Sequence, residues 1–373
     1  MKKIGLVTIH ATTNYGGVLQ AFATQKVLER YGDVQIVDYR NSFVDKTMQL
    51  IRFGRKPRDV LRVLKDLFRL YPRYQVIKKF QTFIDENMNV SSFANSRLVE
   101  VTNEFDIFVT GSDQIWNPST VSENYQFDEV FLLDFVKGRK KVAYASSIGD
   151  YSVKDGDILT SRLKDFDHLS VREKSAATVI SNVLGREVCH VLDPTLLLNK
   201  SEWVEHLKIK GLPKNSNRYI FIYALKKDYL LKETVKYISS LLNIDVVIVD
   251  QDPFLDLPVT KHYRDASPSE FISLLLNAEI VVTNSFHGVA FSLNFEQPFV
   301  AVMPPSSPSR VTDLLSSVGL SEKLISNVSD LDSLDDLDVD FNEATKKLDD
   351  LRVLSLQYLE SSILEKGYEA SKT

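Results

Sequence analysis

Five short runs hold the residues best suited to chemistry, and each follows an apolar stretch. His287 stands in Asn284-Ser285-Phe286-His287-Gly288. Imidazole is the side chain whose ordinary pKa lets it give or take a proton near neutrality. A helix start beside it lowers that pKa, and a bound phosphate raises it. A lone histidine is more often structural, but its place at the carboxyl end of a strand separates His287 from the other five. Asp113 lies in Gly111-Ser112-Asp113-Gln114-Ile115-Trp116-Asn117. An acid there can take a proton from a hydroxyl or orient it, and it can equally cap a helix. Trp116 offers either a face for a sugar or a core aromatic. Arg172 precedes Glu173, so its guanidinium can fork onto a carboxylate or phosphate, or pair with its neighbour. Arg310 ends the run Pro304-Pro305-Ser306-Ser307-Pro308-Ser309-Arg310, where it either covers an anion or is solvated. Finally, Asn14-Tyr15-Gly16-Gly17 puts two glycines at a strand-to-helix turn. There the backbone can approach a ligand and a helix start favours an anion, although a turn needing positive φ has the same look. The spacing matches neither the dinucleotide nor the P-loop pattern.

These runs need a scaffold that ends several strands on one side. Residues 4–8, 34–39, 106–110 and 141–146 read as buried strands, and 17–30 as a helix. Segments 169–172 and 188–192 flank a helix that begins near Glu173, and a short helix is expected around Trp203. The polar run 213–217 reads as a hinge. Beyond it come strands at 219–225, 245–250, 279–283 and 298–303, with helices at 229–242 and 287–295. Ser267-Pro268-Ser269-Glu270 has the form of a capping box opening a helix to Asn277. The acidic stretch 330–340 reads as a solvated linker, and 341–365 as a closing amphipathic helix. Short apolar strands alternating with helices predict parallel sheets covered on both faces. The expected fold class is therefore α/β, with two doubly wound Rossmann-like domains facing across a cleft. The expected division is 1–212, 213–335, and a C-terminal helix at 336–373 packing back on the first domain. In such folds ligands sit beyond the carboxyl ends of the strands.

The 373 residues suffice for two or three domains, and 44% hydrophobic with 25% charged residues suits packed cores. A formal charge of −5 argues against a nucleic-acid partner held by phosphate neutralisation. The lone Cys189 excludes an internal disulfide and a cysteine-based zinc cage, and no ligand cluster suggests another metal. The apolar run after Lys2 and Lys3 stops at His10, too short for a signal-peptide core, and no stretch approaches a membrane span. A cytoplasmic, reduced location is expected.

In this order the runs resemble the polysaccharide pyruvyl transferase family. The resemblance is carried by Asn14-Tyr15-Gly16-Gly17, Gly111-Ser112-Asp113-Gln114-Ile115-Trp116 and Val171-Arg172-Glu173-Lys174. It continues through Asp193-Pro194-Thr195-Leu196-Leu197, Ser285-Phe286-His287-Gly288 and Gln297-Pro298-Phe299. It implies a glycosyltransferase-B-like fold and transfer of a pyruvyl group from phosphoenolpyruvate to two hydroxyls of a sugar, forming a ketal. It also implies His287 as general acid, Arg172 as a binder of the donor's anionic groups, and Asp113 as hydroxyl orienter or base. Asn14, Tyr15, Gly16, Gly17, Ser112, Ser285, Phe286, Gly288 and Arg310 are then expected to bind substrate, with no cofactor and no metal. Some relatives carry an arginine two residues before the histidine. Here that position is Ser285, so Arg310 or a nearby lysine would substitute.

The implied acceptor is a lipid-linked or nucleotide-linked saccharide, with the loops 41–58 and 119–127 shaping its site. The basic, aromatic stretch 52–79 reads either as the solvated face of a helix pair or as a peripheral contact with the inner face of a membrane. Two rivals share the fold: a glycosyltransferase using a nucleotide sugar, and a non-catalytic subunit of polysaccharide assembly.

Overall fold

A computed structural model describes residues 1–53, 57–92, 98–209, 218–252, 255–333 and 337–364. The first apolar run is β1 (Lys3–Val7), buried from Ile4 onward as a strand covered on both faces must be. It is the inner strand between β2 (Asp33–Ile36) and β3 (Ile107–Thr110), and β4 (Lys140–Ala143) lies beyond β3. All three pairings are parallel, with Leu6 opposite both Ile36 and Val109. The short parallel pair β5 (Ser170–Val171) and β6 (Cys189–His190) extends this lobe through single bridges such as Ser146 to Val171.

The helices of this half are α1 (Tyr15–Leu28), α2 (Pro57–Phe68), α3 (Leu70–Asn87) and the short α4 (Leu98–Val101), α5 (Pro118–Val121) and α6 (Ile158–Leu163). They are followed by α7 (Lys174–Leu184) and α8 (Lys200–His206). Asn14 caps α1 by accepting from the Gly17 N–H at 3.1 Å.

The second lobe holds β7 (Tyr219–Tyr223), β8 (Asp245–Val249), β9 (Lys261–Tyr263), β10 (Ile280–Thr283), β11 (Phe299–Val302) and β12 (Leu324–Ile325). They form one parallel sheet in the order β12-β11-β10-β7-β8-β9. Its helices are α9 (Tyr229–Leu242), α10 (Pro268–Leu276), α11 (Phe286–Asn294) and α12 (Ser309–Val318). The capping box at Ser267 and Glu270 is formed as the sequence suggests. The closing α13 (Phe341–Leu364) touches both lobes: the Arg352 guanidinium donates to Leu196 O and to Asn294 Oδ1, and the Tyr358 hydroxyl donates to Ala143 O.

One apolar cluster runs through both lobes, joining Leu6, Phe22 and Trp203 to Phe271, Phe291 and Leu348. Helix α1 lies in the middle of it and is buried on almost every side, because it must face both sheets.

Several strands stop earlier than their apolar runs. The run 141–146 leaves the ladder after Ala143 because Ala145 takes a left-handed φ of 51°. The edge strands β9 and β12 give no clear signal at three and two residues. The expected hinge 213–217 lies outside the described residues. So do 334–336 of the acidic stretch, whose Leu331 is buried, so the stretch is anchored to the core rather than wholly solvated. Among the described residues no helix is long and apolar enough to cross a membrane.

Candidate active site

Six strand ends converge on one place. The turn after β1 brings Asn14, Gly16 and Gly17, the turn after β3 brings Ser112 and Asp113, and the ends of β5 and β6 bring Arg172 and Asp193. From the second lobe, β10 leads into Ser285 and His287, and β11 leads through the proline-rich loop to Arg310.

Arg172 is the hub. Its side chain is buried, and its guanidinium faces three carboxylates: Nη1 to Asp193 Oδ2 at 2.7 Å, Nη2 to Asp113 Oδ1 at 3.2 Å, and Nε to Glu173 Oε1 at 3.4 Å. The Phe286 ring lies 4.7 Å from Arg172 Cζ and 5.9 Å from Arg310 Cζ, within cation–π range of both.

Asp113 does not cap a helix. It holds a left-handed φ of 69° that turns it back toward Arg172, and the next helix, α5, is capped instead by Asn117. Gly111, with φ of 119°, has no room for a side chain against the Tyr144 carbonyl. Ser112 donates to Ala145 O and to Asp193 Oδ2. Trp116 is fully buried and donates to Phe131 O, so it is a core aromatic and offers no face to a sugar.

His287 lies in the first turn of α11 with its Nε2 3.8 Å from Asp193 Oδ2. The imidazole occupies the space where a Cβ on Gly16 would stand, so glycine at 16 is what lets the two lobes meet at this ring. Gly288 is required for a related reason, since a Cβ there would collide with Thr283. Tyr15 is a strut between lobes, stacked on Phe271 at 4.6 Å and donating to Ala266 O at 2.7 Å. Ser285 is buried, and its backbone N–H donates to Thr283 Oγ1. Ser307 reaches Asp150 and Gln114 in the other lobe, which fixes the loop carrying Arg310.

Burial works against both charge types here. It pushes His287 below its ordinary pKa, against the pull of Asp193 and Asp113, with Arg172 and Arg310 reinforcing the fall. Arg310 falls to about 10, through burial and then repulsion from Arg172. For Asp113 and Asp193 burial pushes upward but is outweighed by the cations around them: Arg172 acts most strongly on Asp113, and His287 and then Arg172 on Asp193. Both carboxyls end below the usual carboxylate range. Glu173 ends above its ordinary value because burial prevails over Arg172.

Among the described residues, five buried side-chain polar atoms have no hydrogen-bond partner. Three of them belong to this cluster: His287 Nε2, Arg310 Nε and Glu173 Oε2. Such groups are rare in folded proteins, and their gathering at one place makes this the candidate site. A cavity of about 320 Å³ adjoins the cluster at Asp113. It is lined by Thr12, Asn14 and Gly17 on one side and by Phe43, Lys46, Thr47 and Arg52 from the 41–58 loop on the other. No group of three metal-ligating side chains occurs among the described residues.

The sequence marks Asp193 only as part of a motif. Its signal is there, an acid closing a strand in Asp193-Pro194, but nothing local shows that it meets Arg172 at the end of the neighbouring strand. Tyr223 gave no signal at all. It ends β7 beside Gly16 and Ser285, and burial lifts its hydroxyl to about 12.

No curated protein matches the chain. Among solved structures, a Listeria monocytogenes protein described as a UDP-N-acetylglucosamine 2-epimerase superposes with a TM-score of 0.51 at 11% identity, over 98% of this chain and 97% of the other. S. aureus MnaA with UDP gives 0.50 at 10% identity, over 98% and 93%. An O-GlcNAc transferase variant from Thermobaculum terrenum gives 0.47 at 12% identity, with this chain spanning 98% of its own length and 64% of that chain. At such identities the likeness to the Listeria and S. aureus structures is one of fold, the two-lobed glycosyltransferase-B-like arrangement of parallel sheets. The sequence profile of the polysaccharide pyruvyl transferases matches residues 14–306. With that match over most of its length, the chain belongs to the polysaccharide pyruvyl transferase family, and it is a transferase enzyme.

Proposed function

We propose that this enzyme transfers the pyruvyl group of phosphoenolpyruvate to two hydroxyls of a saccharide carried on a lipid or a nucleotide, in the cytoplasm, without a cofactor. The observation that carries the reading is the pair of buried, unpartnered nitrogens, His287 Nε2 and Arg310 Nε, beside the Arg172 hub. A small anion with a carboxylate and a phosphate supplies the acceptors those atoms lack.

The atoms balance as follows. His287 protonates the methylene carbon of the donor while a saccharide hydroxyl bonds to the neighbouring carbon. The second hydroxyl then bonds to that carbon and the C–O bond to phosphate breaks. One hydroxyl proton replaces the one given to the methyl group, and the other leaves on phosphate. Without a donor, burial pulls His287 toward its neutral form. The donor's negative charge raises its pKa, so the acid is loaded when the substrate is present. Asp113 is held ionised and is therefore a weak base, better suited to orienting a hydroxyl than to removing its proton. Arg172 is already engaged by three carboxylates, which leaves Arg310 as the guanidinium with an unused nitrogen toward the donor and makes Asp193 a positioning residue. The cavity between Asp113 and the 41–58 loop is assigned to the acceptor.

Membership of a transferase family sets aside the reading as a non-catalytic subunit. Nucleotide-sugar transfer remains the competing chemistry on this fold. Calorimetry with phosphoenolpyruvate and with UDP separates the two, and phosphate release measured across lipid- and nucleotide-linked saccharides tests the reaction. His287→Ala is expected to lower that release by about 10²–10⁴-fold. Near-wild-type release in this variant defeats the acid role, and binding of UDP without phosphoenolpyruvate defeats the whole reading.

A further inference from the structure

Helix α2 is built inside out. Its charged side faces the protein: Asp66 is fully buried and held by Arg52, with Nη2 to Oδ1 at 2.7 Å, and by Arg69, with Nη2 to Oδ1 at 2.9 Å. Arg69 also reaches Asp252 of the second lobe at 2.9 Å, and the guanidinium of Arg73, in the first turn of α3, is used on the carbonyls of Gln49, Leu50 and Thr47. The apolar side faces outward. Val60, Leu61, Leu64, Leu67 and Phe68 share one helical face, continued past the break by Tyr71, and all six are exposed. Of the 22 exposed large hydrophobic side chains among the described residues, ten lie between residues 50 and 74. Scattered exposed apolar side chains need no explanation, but a contiguous amphipathic face turned to water does.

Charge selects what covers it. Residues 52–79 hold ten Lys or Arg and two Asp, in a chain whose net charge is −5. Arg52, Arg69, Arg73 and Asp66 are engaged inside, and Lys65 and Lys79 pair with Asp252 and Glu270 of the second lobe, yet the segment as a whole keeps an excess of eight cationic over anionic residues, ten against two. A two-fold pairing of this face with a second copy would bring those cations against each other, whereas an anionic bilayer neutralises them and takes up the apolar stripe. The inner, charged side of this region borders the acceptor-side cavity, through Arg52, and a second cleft of about 260 Å³ at the ends of β7 and β8, through Arg69.

We propose that α2 and the start of α3 dock on an anionic membrane surface through Val60, Leu61, Leu64, Leu67, Phe68 and Tyr71, with the surrounding lysines and arginines on the headgroups. The docking stands on the inverted helix alone. Its consequence, that the acceptor-side cavity opens toward a lipid-borne saccharide, rests on the function proposed above.

Flotation of the full-length protein with vesicles tests this. Vesicles of phosphatidylcholine with one third phosphatidylglycerol are expected to carry the protein at low salt, and pure phosphatidylcholine to carry much less. Leu61→Glu with Phe68→Glu is expected to cut the bound fraction about tenfold or more, since it removes apolar area and adds negative charge. Phosphate release with a water-soluble acceptor should be unchanged in that double variant. This last readout keeps the two readings apart: lost release in both proteins condemns the chemistry, whereas absent flotation with intact release condemns the docking. A wild-type dimer that the double variant makes monomeric, with no vesicle binding by either, overturns the proposal in favour of self-association.

Discussion

Around His287 the balance between desolvation and neighbouring charge decides the chemistry. Burial lowers its pKa, two carboxylates raise it, and two guanidiniums lower it again, leaving it below its ordinary value. A dianionic donor beside Nε2 shifts that balance upward, because negative charge favours imidazolium. Donor binding at pH 6.5–7 should therefore take up protons from solution. Titrations in buffers of different ionisation enthalpy report this uptake directly. It is expected to vanish in His287→Gln, and an identical heat in every buffer for the wild type would remove the proposed proton loading.

At the level of elements, the site depends on how closely α1 and α11 approach. They belong to different lobes, yet the imidazole at the start of α11 fills the space beside Gly16 at the start of α1. Gly16→Ala places a methyl group against that ring. Because α1 is otherwise unchanged and alanine suits a helix, folding should survive. The displaced imidazole should cost about 100-fold in kcat, as misplacing a reacting group by about 1 Å does. Steady-state phosphate release with circular dichroism on the same sample checks both halves, and full activity in Gly16→Ala would show that this contact does not position the histidine.

Over the whole molecule, the shared apolar cluster argues that the lobes fold together. Trp203 is fully buried beside Phe22 of α1 and Phe291 of α11, at 5.6 and 5.2 Å between ring centroids, and donates to Thr195 O at 3.1 Å. Trp203→Ala leaves a large void between elements of both lobes and should cost about 3–5 kcal/mol. Wild type and variant should each unfold in one transition in calorimetry, the variant at lower temperature. Two separated transitions, with only one moved by the substitution, would mean that the lobes have independent cores.

The alternation of apolar strands with helices, the capping box at Ser267, and the placing of Asp113, Arg172 and His287 after strands were all readable in the chain, because each depends on residues adjacent in sequence. Strand ends were not, since a left-handed residue such as Ala145 closes a ladder without changing its apolar pattern. Nor could the sequence show that Asp193 and Asp113 grip one guanidinium, or that α2 turns its apolar side to solvent. Each of these depends on which distant segment arrives at a given face. Local chemistry determined the cast of residues and the strands that carry them. Only packing across the lobes decided which charges neutralise one another and which nitrogens are left for a ligand.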